Sequence, residues 1–205
     1  YKTFIPEKDK YWAKKIMEGG YILHFRHAER DKWIDVQMYD ALESDVHNNG
    51  INESRYAEND YFDQAVCLNK RGKIQAKAMG EHLNNIKFPI GYIASSPSCR
   101  ARQTAMLALG KIDVIENQLV HYGPWNETED FHYGNVRNVL LNVPFKKGKN
   151  TIISAHNGVI EQRVVDKYPA GFTFNLNEGG FYIISKEKNK LIFNYKFNNF
   201  HYFSK

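Results

Sequence analysis

The sequence predicts an α/β fold, a three-layer α/β/α sandwich in which helices cover both faces of a mostly parallel, mixed sheet. Short apolar runs of strand length alternate with helix-compatible segments through most of the chain, which favours strands joined by helical crossovers. The last two apolar runs are separated only by a short charged turn, which predicts an antiparallel hairpin. A length of 205 residues suits one compact domain, so we expect a single domain over residues 1–205.

The first predicted elements are a helix and a strand. The helix covers residues 6–20, because this segment begins at a proline and ends at a pair of glycines. Residues 21–25 follow as a short apolar and aromatic strand. This strand delivers Arg26 and His27 at its carboxyl end.

The later elements follow the same alternation. A helix is expected after the cap residue Asn69, with Ile74, Ala78 and Leu83 facing the core. A further helix is expected in the stretch SCRARQTAMLAL, with its regularly spaced alanines on the packing side. The remaining predictions are strands at 90–94, 112–115 and 151–155, a loop at 121–134, helices through 136–140 and 159–168, and a hairpin within 179–197.

Composition excludes some classes of protein and leaves others open. An apolar fraction of 42% and a charged fraction of 25% exclude a globally disordered chain. The net charge of +5 favours an anionic partner, whether phosphate, nucleic acid or a membrane surface. No run approaches the roughly 18–20 apolar residues that a membrane span needs, so none is expected. The sequence begins at Tyr1 rather than Met, which leaves the compartment open between cytoplasm and, if a leader was removed, periplasm or secretion.

Two further features concern charge and sulfur. Residues 31–66 contain nine acidic and two basic residues, are rich in Asn and Asp, and show little periodicity. We interpret them as an acidic insertion or lid, with a solvated excursion without a role as the alternative. Cys67 and Cys99 are too few for a disulfide framework, and free thiols are favoured over a single bridge.

Three predicted strands end in groups that suit phosphoryl chemistry. Arg26 and His27 follow the first strand, Arg100 follows the second after two serines, and His156 follows a later one. In open α/β sheets, ligands bind beyond the carboxyl ends of the strands. Guanidinium groups match phosphate oxygens, and a neutral imidazole can attack phosphorus. We therefore expect a phosphate site on this rim, with no metal and no cofactor.

The motifs around these residues resemble a known family. Arg26-His27-Ala28-Glu29 resembles the Arg-His-Gly-Glu signature of the histidine phosphatase superfamily, the phosphoglycerate-mutase-like proteins. LNKRGKIQAKAMGEHL is similar to that family's helix after its L-T-x-x-G-x-x-Q-A entry, and SSPSCRARQTA to its S-S-P-x-x-R-A-x-Q-T-A segment. TIISAHNG supplies a second histidine in the expected order. The resemblance implies a phosphoglycerate-mutase-like fold and a metal-independent phosphatase acting on a small phosphorylated substrate, a sugar phosphate or another phosphomonoester.

The resemblance also implies roles for individual residues. His27 would be the nucleophile that forms a phosphohistidine. Arg26, Arg100 and His156 would form the phosphate pocket. Arg30 is a further phosphate-binding candidate, because the phytase-like branch has an arginine at that place of its motif.

One departure from the signature points to a branch of the family. Ala28 stands where the family usually has glycine, and it would constrain the backbone if the position needed a positive φ. A branch resembling lipopolysaccharide core heptose phosphatases shares Arg-His-Ala-Glu-Arg and His-Asn. The chain carries the same residues at 26–30 and 156–157.

The proton donor is the least defined part of the predicted site. The family uses a carboxylate to protonate the leaving group, often in the loop before the penultimate helix or directly after the second histidine. Here Asn157 follows the second histidine and cannot donate an acidic proton. We favour Glu129 in the loop at 121–134. The alternatives in that loop are Glu127, Asp130, His121 and His132.

Other functions remain as alternatives. A phosphomutase is disfavoured, because the family's mutases carry Glu-Arg-His-Tyr-Gly where this chain has Asp-Phe-His-Tyr-Gly at 130–134. A non-catalytic phosphate-binding or interaction module would keep the pocket and lose the acid. His24 is expected to be a hydrogen-bonded strand histidine rather than a metal ligand. The lysines and aromatic residues of the tail fit an edge hairpin, so no nucleic-acid partner is expected.

Overall fold

A computed structural model describes residues 6–31, 66–120 and 127–199 of the chain. The predicted acidic insertion at 31–66 lies almost entirely outside these ranges, as does the first part of the predicted loop at 121–134. Within the described ranges, no helix is both long enough and apolar enough to cross a membrane.

The described chain alternates strands with helices, as predicted. The first helix ends at a glycine pair and the second is capped by the Asn69 side chain, which accepts a hydrogen bond from the Gly72 N–H. The elements in chain order are α1 (Glu7–Glu18), β1 (Ile22–Arg26), α2 (Lys70–Asn85), β2 (Ile90–Ser95), α3 (Cys99–Leu109), β3 (Val114–Ile115), α4 (Glu129–Asn142), β4 (Asn150–Ala155), β5 (Phe181–Glu187) and β6 (Lys190–Phe197), with a short 3₁₀ turn at Asn117–Leu119.

The six strands form one mixed sheet in the order β3-β2-β4-β1-β5-β6. Strands β1 to β4 are parallel where they pair, whereas β5 runs antiparallel to both β1 and β6. Because β2, β4 and β1 are neighbours and parallel, their carboxyl ends meet at one rim of the sheet. The predicted hairpin and the mostly parallel sheet are both confirmed.

The sheet separates two apolar cores, which confirms the three-layer architecture. Alternate residues of β1 serve the two sides, with Leu23 and Phe25 in one core and Ile22 in the other. The first core packs against α1, α2 and α3, and the second against α4 and the segment 159–176. The predicted packing alanines of α3 are buried: Ala101, Ala105 and Ala108.

The predicted core face of α2 was wrong in part. Leu83 is buried, but Ile74 is 62% exposed and Ala78 also faces solvent. The buried stripe is set by two glycines, Gly72 and Gly80, whose backbones approach neighbouring elements closely. A Cβ at Gly80 would lie 2.7 Å from the Ala108 carbonyl oxygen. The absence of a side chain at Gly80 lets α2 approach α3 on this face, which is therefore the buried one.

The predicted helix at 159–168 does not form. The segment consists of turns, although Val159, Ile160 and neighbouring apolar residues are buried as a helix face would be. Instead, Asp166 of this segment is hydrogen-bonded to the edge strand β6. The Asp166 N–H donates to the Leu191 carbonyl (2.8 Å), and the Asp166 carboxylate accepts from the Leu191 N–H (2.8 Å). These bonds hold the segment against β6 and replace the helical ones.

The prediction of free thiols was also wrong. Cys67 and Cys99 are buried and joined in a disulfide. It ties the segment that leads into α2 to the first residue of α3. Their spacing of 32 residues gave no sign of this contact, which depends on how α2 and α3 pack.

Candidate active site

Three strand ends bring the predicted site residues to one rim. In the sheet register, Arg26 at the end of β1 lies beside Ala155 at the end of β4, and Ser95 at the end of β2 lies beside Ser154. The next residues along the chain are His27, Ser96 and His156, which therefore meet beyond the sheet.

His27 is held as a neutral imidazole. Its ring is buried, and its Nδ1–H donates a 2.7 Å hydrogen bond to the Ala28 carbonyl oxygen. Burial first, and then the positive charges of Arg100, Arg26 and Arg30, hold its pKa well below the usual 6.5. With the proton on Nδ1, the Nε2 atom keeps its lone pair, which is the form that can act as a nucleophile.

His156 lies beside His27 and is fixed from two sides. The centroids of the two rings are 5.4 Å apart, and the ring planes are inclined at 62°. A 2.9 Å hydrogen bond joins His156 Nε2 to the Ser96 hydroxyl. The His156 carbonyl accepts a 2.9 Å hydrogen bond from Nε2–H of His24. Burial lowers the pKa of His24 to about 4, so the ring is neutral when it donates this hydrogen bond.

The arginines surround His27 at different depths. Arg100 is fully buried and donates to the Val66 carbonyl at 3.2 Å. Arg26 is partly buried and donates to the Leu176 carbonyl at 2.6 Å. Arg30 is also partly exposed and donates to the Asp31 carbonyl at 2.7 Å. The structure thus brings His27, His156 and three guanidinium groups together, as predicted.

Thr104 connects the segment that follows β1 to helix α3, a contact that the sequence had not indicated. Its hydroxyl donates to the Arg100 carbonyl at 2.8 Å and accepts from the Ala28 N–H at 2.9 Å. The only sequence signal was its place in the SSPSCRARQTA motif. Ser96 was noted as a strand end, but its contact with His156 was not predicted.

Ala28 fits the site without strain. The non-glycine residues with positive φ in the described ranges are Lys87 and Lys188, so Ala28 does not need the conformation that favours glycine. Its side chain is buried against Leu68 and Ala76. The methyl group that departs from the family signature therefore packs in a small apolar cluster.

Glu29 joins the nucleophile segment to helix α2. Its carboxylate accepts from Nε–H of Arg71 at 2.8 Å and from Asn69 at 3.1 Å. The Gly72 backbone packs against the Glu29 carbonyl so closely that a Cβ at Gly72 would lie 1.9 Å from that oxygen. This contact gives a structural reason for the glycine in the LNKRGKIQA motif.

Comparisons with known proteins agree with this geometry. Residues 57–136 match the model of the histidine phosphatase superfamily, branch 1. Around that segment, the arginine-histidine pair and the second histidine occupy the rim that the motifs predicted. This match covers less than half of the chain, so it shows a similarity to that superfamily. No curated protein matches its sequence significantly.

Solved structures of other proteins share the fold of this chain. The protein histidine phosphatase SixA, complexed with tungstate, is 15% identical, with 86% of this chain and 95% of that chain covered and a TM-score of 0.54. A candidate alpha-ribazole-5'-P phosphatase from Escherichia coli K-12 is 16% identical, with coverage of 85% and 94% and a TM-score of 0.53. At these identities the likeness concerns the fold. The heptose phosphatase branch stays a prediction.

The last part of the predicted loop at 121–134 is helical instead. Glu129 and Asp130 begin helix α4, because the Thr128 side chain caps its first turn. Both carboxylates are largely exposed and pair with Arg163, at 3.2 and 3.1 Å. The contacts of Glu129, our predicted proton donor, are therefore with a surface arginine and not with the histidines of the rim.

The other acid and base predicted in that loop contact each other. The Glu127 carboxylate lies 3.2 Å from Nδ1 of His132. His132 is buried, and burial lowers its pKa more than Glu127 raises it. His121 lies outside the described residues. Asn157, which follows the second histidine, accepts a 2.8 Å hydrogen bond from the Leu176 N–H and so fixes the loop that leads into β5.

Metal ligation has no support in the described part of the chain. Within residues 6–31, 66–120 and 127–199, no three His, Cys, Asp or Glu side chains cluster as metal ligands would. The positive charge at the rim comes from guanidinium groups.

Proposed function

We propose that this chain is a metal-independent phosphatase that hydrolyses a phosphomonoester through a phosphohistidine on His27. The observation that carries the proposal is the neutral His27 ring, which donates from Nδ1 to Ala28 and is surrounded by three arginines. The match of residues 57–136 to the histidine phosphatase superfamily supports phosphatase chemistry. The hydrogen bond of His27 and the arginines around it support the proposal that His27 is the nucleophile.

The chemistry requires a nucleophile and a concentration of positive charge. His27 Nε2 attacks phosphorus, and the bond between phosphorus and the leaving oxygen breaks. Water then cleaves the phosphorus–nitrogen bond and releases inorganic phosphate. Arg26, Arg30 and Arg100 stabilise the charge on the phosphoryl oxygens, which is most of what phosphoryl transfer asks of a protein. His156, oriented by Ser96, donates a further hydrogen bond to those oxygens.

The proposed substrate is a small phosphomonoester, such as a sugar phosphate. A protein histidine phosphatase of the same fold has been solved with tungstate, a tetrahedral oxyanion that resembles phosphate. Tungstate is therefore a useful probe for this site. We expect it to compete with substrate, and Arg100→Ala to weaken that competition, because Arg100 is the most deeply buried of the three guanidinium groups.

The direct test is hydrolysis of p-nitrophenyl phosphate in the presence of a chelator. We expect the wild-type protein to release phosphate and nitrophenol in equal amounts, and His27→Ala to abolish turnover. His82→Ala is a matched control on helix α2 and should retain activity. Undiminished turnover in His27→Ala would exclude the proposed mechanism. A wild-type protein that binds tungstate without any turnover would instead be a phosphate-binding module.

A further inference from the structure

The segment that leads into β5 lies directly against the nucleophile. The Gly179 N–H donates to the His27 carbonyl at 3.1 Å, and the Arg26 N–H donates to the Gly180 carbonyl at 3.0 Å. Glu178 precedes these two glycines in the chain.

The Glu178 side chain is mostly buried beside a phosphate-binding arginine. Its carboxylate lies 3.7 Å from Nη2 of Arg26, and only 13% of the side chain is exposed. The backbone around it is held as well, since the Glu178 carbonyl accepts from Gln75 at 3.4 Å and Asn157 accepts from the Leu176 N–H at 2.8 Å. This carboxylate therefore lies beside Arg26, in a segment whose backbone contacts His27.

In the part of the chain that the structure describes, the other candidate carboxylates have different partners. Glu29 is bound to Arg71, and Glu127 to His132. Glu129 and Asp130 face Arg163 at the surface. Among the described residues, Glu178 is the carboxylate in ion-pair range of one of the three arginines around His27.

We propose that Glu178 is the proton donor to the leaving group, in place of the predicted Glu129. The assignment rests on the proposed phosphatase mechanism and names the missing acid of that site. As His27 Nε2 bonds to phosphorus and the ester oxygen departs, the Glu178 carboxyl gives its proton to that oxygen, and an alcohol leaves. In the second step the Glu178 carboxylate takes a proton from water as the water oxygen attacks phosphorus and the bond to His27 breaks.

The position beside Arg26 suits a proton donor. Arg26 would hold the phosphoryl oxygens in the proposed mechanism, and the leaving oxygen is bonded to the same phosphorus.

The test compares leaving groups in Glu178→Gln, which keeps the shape of the side chain and removes its acidic proton. A general acid matters when the leaving alcohol is a poor one and matters little for nitrophenolate. We expect kcat/KM for an alkyl phosphate to fall by about 10²–10⁴-fold, and kcat/KM for p-nitrophenyl phosphate to fall far less. Because kcat/KM covers the steps up to release of the alcohol, the second step does not enter the comparison.

Two further variants keep the result interpretable. Glu129→Gln tests the donor that the sequence predicted, and Glu187→Gln at the far end of β5 is an inert control. Equal losses for both substrates in Glu178→Gln would mean that Glu178 only positions Arg26, and would overturn the assignment. So would the absence of any loss, or a leaving-group-dependent loss in Glu129→Gln. In each of these outcomes p-nitrophenyl phosphate turnover dependent on His27 would persist, so the proposed function would stand.

Discussion

At the scale of single residues, the histidines of the rim differ in what fixes them. His27 is kept neutral by burial and three arginines, and its hydrogen bond to Ala28 decides which nitrogen is free. His24 never reaches the rim with its side chain, yet it orients His156 by donating to its carbonyl. The hydrogen bonds of His27 and His24 described here are therefore made by uncharged rings.

This dependence makes stability sensitive to acid through His24. The unfolded chain binds a proton at this residue near pH 6.5, whereas the native ring resists protonation until about pH 4. Because the unfolded state binds more protons in that window, the free energy of unfolding falls as the pH drops from 6.5 to 4, by about 3 kcal/mol from this residue. Urea unfolding of the wild type and of His24→Gln at several pH values measures this fall in the free energy of unfolding.

Other titrating groups are common to both proteins and cancel in the comparison. The variant keeps a donor for the His156 carbonyl and should lose less stability on acidification than the wild type. Identical losses in the two proteins would show that His24 is not the source of the sensitivity.

At the scale of elements, the fit between helix α2 and the nucleophile segment depends on one glycine. The Gly72 backbone touches the Glu29 carbonyl, which lies two residues from His27. Asn69 caps the same helix and also binds Glu29. The helix terminus therefore fixes the position of the nucleophile.

Two glycine-to-alanine substitutions separate the effect of this contact on stability from the effect of helix propensity. Gly72→Ala should lower the free energy of unfolding by about 1–3 kcal/mol, because its Cβ would overlap the Glu29 carbonyl. Gly134→Ala in α4 meets no atom within 4 Å and should raise it by about 0.5–1 kcal/mol. Denaturant unfolding of both variants tests the pair. A stabilised Gly72→Ala protein would contradict the packing described here.

The elements also show where sequence patterns are informative. Strand ends could be predicted because β1, β2 and β4 are short apolar runs followed by polar residues, and this placed Arg26, His27 and His156 correctly. The segment 159–168 could not, because its apolar spacing resembles a helix and only the edge of β6 decides its conformation. The Cys67–Cys99 disulfide and the position of Glu178 depend in the same way on contacts between distant parts of the chain.

At the scale of the whole molecule, the sheet topology places the candidate site residues at one rim. The parallel order of β2, β4 and β1 collects three strand ends, and the antiparallel β5 begins at the same rim, shortly after Glu178. The disulfide fastens the start of α3, which carries Arg100, to the segment before α2. His27, the arginines around it and Glu178 thus come from separate parts of the chain.

The central claim is that His27 carries the phosphoryl group during turnover. The most direct measurement is rapid quenching of the protein into alkali during turnover of a ³²P-labelled aryl phosphate, followed by mapping of the labelled peptide. We expect an alkali-stable, acid-labile phosphohistidine at His27, and no label in His27→Ala. Turnover without a labelled protein, or with the label on Ser95 or Ser96, would contradict the account.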